Sequence, residues 1–303
     1  MQDHEQWMSY TRDMMVEYVK NLVTPIALSR TEGRGEALGT GNYIGINGAA
    51  YLLTNEHVIA EGVGGHLGHL PGPTDDYVAM AHRIFTAEQP IDLALMRLGD
   101  EWNEATKGVA TISMFDQSYA PVEGEFLFFI GYPGTRATRL QTPIRALHGR
   151  HTAFGGPIDN LAVPIITQAF SGNPGPLLSF DPSYHTAIHL PARAPRMAGS
   201  PSEDLPNANG MSGSMLWDTK FVAHANRGIQ WGPHLAKVCG LIRTAYTSPE
   251  VAGFTRVEHL LPVLLDWIRH ERAFIHWVDR GEPLWQENVD WEWAEREFPE
   301  LRD

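Results

Sequence analysis

Asn209-Gly210-Met211-Ser212-Gly213-Ser214 is the stretch whose reading decides the fold. Glycine stands two residues before Ser212 and again directly after it. Glycine permits backbone conformations and close approaches that a Cβ resists. A hydrolytic serine uses both. Its hydroxyl must stand clear of the chain, and nearby N–H groups must converge on a developing oxyanion. A simple Gly/Ser turn is written with the same letters. Two distant stretches separate the readings.

The first is Tyr51-Leu52-Leu53-Thr54-Asn55-Glu56-His57-Val58-Ile59, an apolar run that ends at a histidine just after a polar bend. Imidazole titrates near neutrality, so it can take a proton from a serine and return it. The second is Pro90-Ile91-Asp92-Leu93-Ala94-Leu95-Met96-Arg97-Leu98, where an aspartate opens a strand-like run. A carboxylate beside so much apolar sequence is costly to bury unless something hydrogen-bonds to it. An imidazole N–H would serve. Asp92 as a plain turn residue fits the same pattern, and Asp75 or Asp76 is an alternative acid.

Together the three stand in the order His, Asp, Ser, which differs from the order in subtilisin and in the α/β-hydrolases. Here the chain resembles the trypsin-like serine proteases. Thr54-Asn55-Glu56-His57-Val58 looks like their Thr-Ala-Ala-His block, and Asp92-Leu93-Ala94-Leu95 like their Asp-Leu/Ile-Ala-Leu block. Gly210-Met211-Ser212-Gly213-Ser214 is similar to their Gly-Asp/Asn-Ser-Gly-Gly block. Gly124–Pro133 resembles the segment that opens the second barrel in bacterial members, and Val238–Ile242 the strand after the serine. The likeness runs over about residues 26–270. It implies a mostly β fold of two antiparallel six-stranded β-barrels, chymotrypsin-like, with N-terminal and C-terminal helices. The expected division is an N-terminal helix at 1–25, a first barrel at 26–116, a second at 117–255, and a C-terminal helix and Trp-rich acidic tail at 256–303.

The resemblance also implies roles. Ser212 attacks the scissile carbonyl, His57 shuttles the proton, and Asp92 orients the imidazole. The backbone N–H groups of Gly210 and Ser212 bind the oxyanion. Pro206 and Asn207 lie near the floor of the primary specificity pocket. Neither carries a charge that would select lysine or arginine, but Asp204 stands close by in a loop whose length differs from the family's. Thr244 and Ala245 lie on the strand that pairs with substrate backbone. Gly-Ser after the nucleophile replaces the commoner Gly-Gly, and Met215 replaces the usual proline. Secreted relatives pair a newly cut N-terminus with an aspartate before the serine. That position is Met211 here, so no such activating cleavage is expected.

The 303 residues suffice for a substantial core. The formal charge of −13 points away from nucleic acid and anionic membranes. With one cysteine, Cys239, no disulfide can form within the chain, which suits a reducing compartment. Residues 1–25 intersperse Asp3, Glu5, Arg12, Asp13, Glu17 and Lys20, so no signal peptide is read there and a cytoplasmic location is expected.

Along the chain, residues 3–21 read as an amphipathic helix, with Trp7, Tyr10, Met14, Tyr18 and Leu22 at helical steps. It packs across the barrels or docks a partner. Short strands then alternate with Gly-rich turns and no helical spacers, which favours barrels over a βαβ sheet. His66-x-x-His69 lacks obvious further metal ligands, and no metal or cofactor is expected. A second set of strands includes Gln141–His148. Residues 191–206 read as a long Pro-rich loop, and 221–238 as a hairpin-like excursion. Residues 256–270 read as a helix with Pro262 early in it. Trp277, Trp285, Trp291 and Trp293 stand among acidic groups in a tail that packs back or holds a partner. The expected partners are a protein or peptide substrate and a protein regulator at the tail or the 191–206 loop. The competing reading is a catalytically incompetent binding or scaffold protein that works through the tail.

Overall fold

A computed structural model describes residues 2–31, 34–62, 65–70, 78–80, 84–99, 108–133, 141–145, 152–156, 162–172, 174, 180–195, 202–204, 210–246 and 250–279. The chain opens with α1 (Gln2–Val19). The strands up to the middle of the chain are β1 (Val23–Thr31), β2 (Arg34–Ile46), β3 (Ala49–Thr54), β4 (His66–His69), β5 (Val78–Ala79), β6 (Ile84–Ala87), β7 (Leu93–Arg97) and β8 (Ala110–Thr111). Those that follow are β9 (Leu127–Gly131), β10 (Gln141–Arg145), β11 (Thr152–Gly156), β12 (Val163–Thr167), β13 (His185–His189), β14 (Arg193–Pro195), β15 (Ser202–Asp204), β16 (Met215–Asp218), β17 (Lys237–Tyr246) and β18 (Val251–Arg256). The remaining helices are α2 (Glu56–Ala60), α3 (Phe221–Ala225) and α4 (Val257–Asp279).

The fold is mostly β, with two curled sheets and a helix toward each end, as expected of a chymotrypsin-like chain. The first sheet runs β11-β10-β5-β4-β1-β2-β3-β7-β6, with β8 beside β2. The second runs β12-β9-β16-β17-β18-β13 and has six strands. The first has ten, because β10 and β11 join it where Arg145 meets Val78. Gln141–Arg145 therefore pairs with the first set of strands rather than with the second.

Sequence explains the central strands directly. In β7, Leu93, Ala94, Leu95 and Met96 are all buried, and every residue of β9 is buried. Such continuous apolar runs suit strands covered on both faces. The β2–β3 hairpin turns at Asn47-Gly48, with φ of 50° and 81°. Asn-Gly is the pair that tolerates two successive positive φ values in a tight hairpin. A register shift between Ile26 and Ala27 breaks the β1–β2 ladder. Irregularities of this kind bend a strand and sharpen its twist, which helps a sheet to curl.

Two loops differ from their sequence reading. Within 191–206 lies a small ribbon, β14 paired with β15 from Arg193–Asp204 to Pro195–Ser202. The 221–238 excursion is the helix α3 and a 3₁₀ turn at Pro233–Leu235, not a hairpin. The buried Glu125 carboxylate explains α3. It accepts the N–H groups of Val222 (3.0 Å) and Ala223 (2.9 Å), which the first turn of a helix leaves unsatisfied. That partner is almost one hundred residues away in sequence and invisible locally.

Helix α1 packs on the second-sheet side. Its aromatic rings meet others edge-on or tilted: His4 with Phe126 at 5.3 Å, Trp7 with Phe221 at 6.1 Å, and Tyr18 with Trp217 at 6.0 Å. Aromatic pairs prefer such offset geometries to face-to-face stacking. Met15 and Val19 are buried on the same helix.

Contacts divide the chain into two units, Met1–Leu260 and Leu261–Asp303. The described part of the second unit is the remainder of α4. Leu264 and Ile268 are buried there, at helical spacing, and Leu265 is partly exposed. Trp285, Trp291 and Trp293 lie outside the described residues. Among the described residues, no helix is long and apolar enough to cross a membrane.

Candidate active site

Asp92 is the most deeply held of the candidate residues. It is fully buried, and its backbone sits at φ 55°. Aspartate is among the residues that visit this left-handed region most readily. The turn before it is closed by Ile91 N–H and Asp92 N–H, both donating to the Glu88 carbonyl at 3.2 and 3.1 Å. The second sheet grips the same turn. Thr255 Oγ1 donates to the Ile91 carbonyl at 3.0 Å, and His185 Nε2–H to the Pro90 carbonyl at 2.7 Å. His185 Nδ1 accepts the Asp181 N–H at 2.8 Å, which fixes its tautomer. Burial holds this imidazole below its ordinary pKa, against the opposing pull of the Pro90 carbonyl.

The carboxylate of Asp92 holds His57 twice. Oδ1 accepts the His57 backbone N–H at 3.1 Å, and Oδ2 accepts Nδ1–H at 2.7 Å. The first bond does the work of a cap at the start of α2. Asn55 occupies the cap position but makes no side-chain cap there. Instead its Nδ2 donates to the Asp92 carbonyl at 2.7 Å. The second bond assigns the tautomer. With the proton on Nδ1, Nε2 carries a lone pair. The His57 side chain remains 33% accessible, so this nitrogen can meet a substrate while its anchor stays dry. Glu56, beside it, is pushed up from the ordinary carboxyl pKa, by partial burial first and then by Asp92 and Glu88.

Ser212 belongs to the second sheet, yet the first sheet holds its turn. Thr40 and Asn42 of β2 form the clamp. Thr40 Oγ1 donates to the Gly210 carbonyl at 2.8 Å, and Thr40 N–H to the Ser212 carbonyl at 2.8 Å. Asn42 Nδ2 donates to the Gly213 carbonyl, and Asn42 Oδ1 accepts Met215 N–H at 3.2 Å. From its own sheet, Gly213 N–H donates to Ile242 O at 2.8 Å. Gly213 has φ 90°, and a Cβ there would lie 2.0 Å from the Thr40 carbonyl oxygen. Gly39 also fills a narrow space, since a Cβ would come 2.6 Å from Val58 Cγ1 and 3.2 Å from the Ser212 carbonyl oxygen. These glycines let β2, α2 and the serine turn meet.

The Met211 carbonyl accepts Ser214 N–H at 3.2 Å and Ser214 Oγ at 2.7 Å. In a trans peptide the following N–H points the opposite way. The Ser212 N–H is therefore directed away from Ser214. Gly210 is buried, with φ 96°. The Ser212 hydroxyl donates to the Arg243 carbonyl at 3.1 Å.

The structure thus pairs His57 with Asp92, and joins Ser212 to them through Arg243. The Arg243 carbonyl receives the serine hydroxyl, and its Nε lies 3.9 Å from Asp92 Oδ2. Thr244 and Ala245 lie on β17, in register with Gly253 and Ala252 of β18. The β16–β17 register ends at Met215–Leu241, so this part of β17 runs on beyond β16. Pro206, Asn207, Asp75 and Asp76 lie outside the described residues. Sequence reading missed Thr40, Asn42 and the Arg243 side chain. A signal existed: Thr40, Asn42 and Arg243 are polar residues within apolar strands, and such groups demand buried partners. His69, of the His-x-x-His pair, shares a 2.9 Å hydrogen bond between its Nδ1 and Tyr43 Oη. Among the described residues, no cluster of three or more His, Cys, Asp or Glu could hold a metal.

Comparison with known proteins matches residues 39–222 to the trypsin-like peptidase domain. His57, Asp92 and Ser212 all fall within that span. A search of curated proteins finds no match. Among solved structures, an inactive mutant form of Rv3671c from M. tuberculosis H37Rv shares 16% identity, with a TM-score of 0.44, covering 85% of this chain and 92% of that one. Deg5 shares 14%, with a TM-score of 0.43 and coverage of 82% and 89%. The serine endoprotease from Yersinia pestis shares 16%, with a TM-score of 0.44 and coverage of 84% and 65%.

Proposed function

This chain belongs to the trypsin-like peptidase family, and we propose that it is a serine endopeptidase working through Ser212, His57 and Asp92. The observation that carries the reading is the 2.7 Å bond from His57 Nδ1 to the buried Asp92 carboxylate. It leaves the lone pair on Nε2, which can then act as the base. Ser212 Oγ attacks the scissile carbonyl, and Nε2 takes the hydroxyl proton. Asp92 stabilises the imidazolium without itself taking the proton. The carbonyl oxygen becomes an oxyanion, held by the N–H groups of Gly210 and Ser212. Collapse breaks the C–N bond, and the imidazolium gives its proton to the leaving amine. Water, deprotonated by His57, then releases the acyl group from Ser212 by the same path in reverse. The substrate backbone pairs along Thr244 and Ala245.

The resting hydroxyl donates to the Arg243 carbonyl and must turn from it to His57 before it gives up its proton. We place the enzyme in the cytoplasm. The support is that Cys239 is the one cysteine of the sequence, so no disulfide forms within the chain, which suits a reducing compartment. Its substrate is a protein or peptide, and its regulator a protein acting at the 191–206 loop or the tail.

A fluorophosphonate probe tests the reading. The uncut chain, verified by intact mass, should label stoichiometrically at Ser212, and His57→Gln should abolish labelling. Met211 is buried and uncharged, and offers no carboxylate to a new N-terminus. A chain silent to the probe, and still silent after limited cleavage between residues 20 and 40, would defeat the peptidase reading. A chain silent until cut there would defeat only the uncut-activity expectation.

A further inference from the structure

The side chain of Arg243 lies almost wholly inside the protein, at 3% exposure, beside the carboxylate that orients His57. Its Nε is 3.9 Å from Asp92 Oδ2. Its Nη2 donates to Gln89 Oε1, on the turn that precedes Asp92. Its carbonyl receives the Ser212 hydroxyl. One residue therefore touches the acid side of the site with its charge and the serine side with its backbone. At 3.9 Å, Nε lies beyond ordinary hydrogen-bond length, so it acts on Asp92 through charge.

Consider the buried charges. With Arg243 present, Asp92 already has a cation 3.9 Å away, and protonating His57 puts a second positive charge beside the same carboxylate. Without Arg243 the imidazolium is spared that repulsion. A like charge nearby disfavours ionisation. Arg243 should therefore oppose formation of the imidazolium. The other groups facing the site are Glu56 from α2, Glu88 from the turn before Asp92, and His185 from β13. Glu56 and Glu88 favour the imidazolium when ionised. His185 is neutral and bonded to Pro90.

We infer that Arg243 is a positioning residue that sets the basicity of His57, keeping it a free base to lower pH than the Asp92–His57 pair alone would. This rests on the peptidase reading for its consequence, but not for its measurement. Its consequence is that the acid limb of the activity profile reaches toward lower pH.

The test is an NMR titration of the His57 imidazole in a Ser212→Ala background, with the signal assigned by its loss in His57→Gln. No catalysis is needed, so failure here and failure of probe labelling are separate results. Arg243→Met should raise the His57 pKa by about one unit, the scale expected of a charge within several ångströms. Arg243→Lys, which keeps the charge, should remain close to the parent. If Arg243→Met does not fold, Gln89→Leu at the exposed anchor should shift the same signal upward by less. The acid limb of probe labelling should move in parallel in the serine-containing proteins. An unmoved His57 in Arg243→Met, or in Gln89→Leu where that variant replaces it, overturns the inference. So does a lysine variant that titrates like the methionine one.

Discussion

The two halves of the site are held by different means. The His57 half is held by a side chain: one buried carboxylate takes both the backbone N–H and the ring N–H of the histidine. The Ser212 half is held by its main chain, through carbonyls that Thr40 and Asn42 collect from the other sheet. A single anionic group can fix a tautomer and support a charge that comes and goes. A set of neutral clamps can aim peptide N–H groups and leave the hydroxyl free to turn. The chemistry needs both: a base with fixed polarity, and a nucleophile on a preset backbone with a movable proton.

The most severe test of this contrast removes the nucleophile. Ser212→Ala should lower kcat by about 10⁶-fold while leaving the unfolding transition in place. Residual cleavage of a peptide library near the parent rate would show that the clamped turn presents some other group. Asp92→Asn attacks the other half. It supports the wrong tautomer and should lower kcat by about 10⁴-fold. If Asp92→Asn were near normal and Asp75→Ala or Asp76→Ala inactive, the acid would be assigned wrongly.

Asn42→Ala sharpens the comparison further. It removes the bonds to Gly213 O and Met215 N–H without touching a reacting group. Misplacement of the turn should cost about 10²-fold in kcat/KM. The pH profile should keep its limbs, because neither His57 nor Asp92 is altered. A moved acid limb would show that the two halves are electrostatically coupled through β2.

The smallest effect concerns stability. His185 has its folded-state pKa lowered, so the unfolded chain binds more protons as the pH falls below the unfolded value of about 6.5. His185 therefore weakens the fold on acidification, from that pH down to its own lowered pKa. His185→Gln should flatten the fall of the unfolding midpoint as the pH drops below about 6.5, relative to the parent. A parallel displacement of both curves, with no change in slope, would assign His185 a packing role alone.

The sequence by itself carried the chemistry-bearing residues and the β character. Ser212 sits between glycines, His57 follows a polar bend, and Asp92 opens the run Leu93–Met96. Such features are local, because tight backbone, apolar runs and Asn47-Gly48 are written over a few neighbouring residues. Sequence could not deliver what depends on distant partners. The cap of α3 comes from Glu125, and the strand Gln141–Arg145 joins a sheet begun far upstream. The clamp on Ser212 comes from Thr40 and Asn42, roughly 170 residues away. The charge beside Asp92 comes from Arg243, on a strand of the opposite sheet. A buried polar side chain announces in sequence that it needs a partner. Which partner it receives is decided only when the two sheets close on each other.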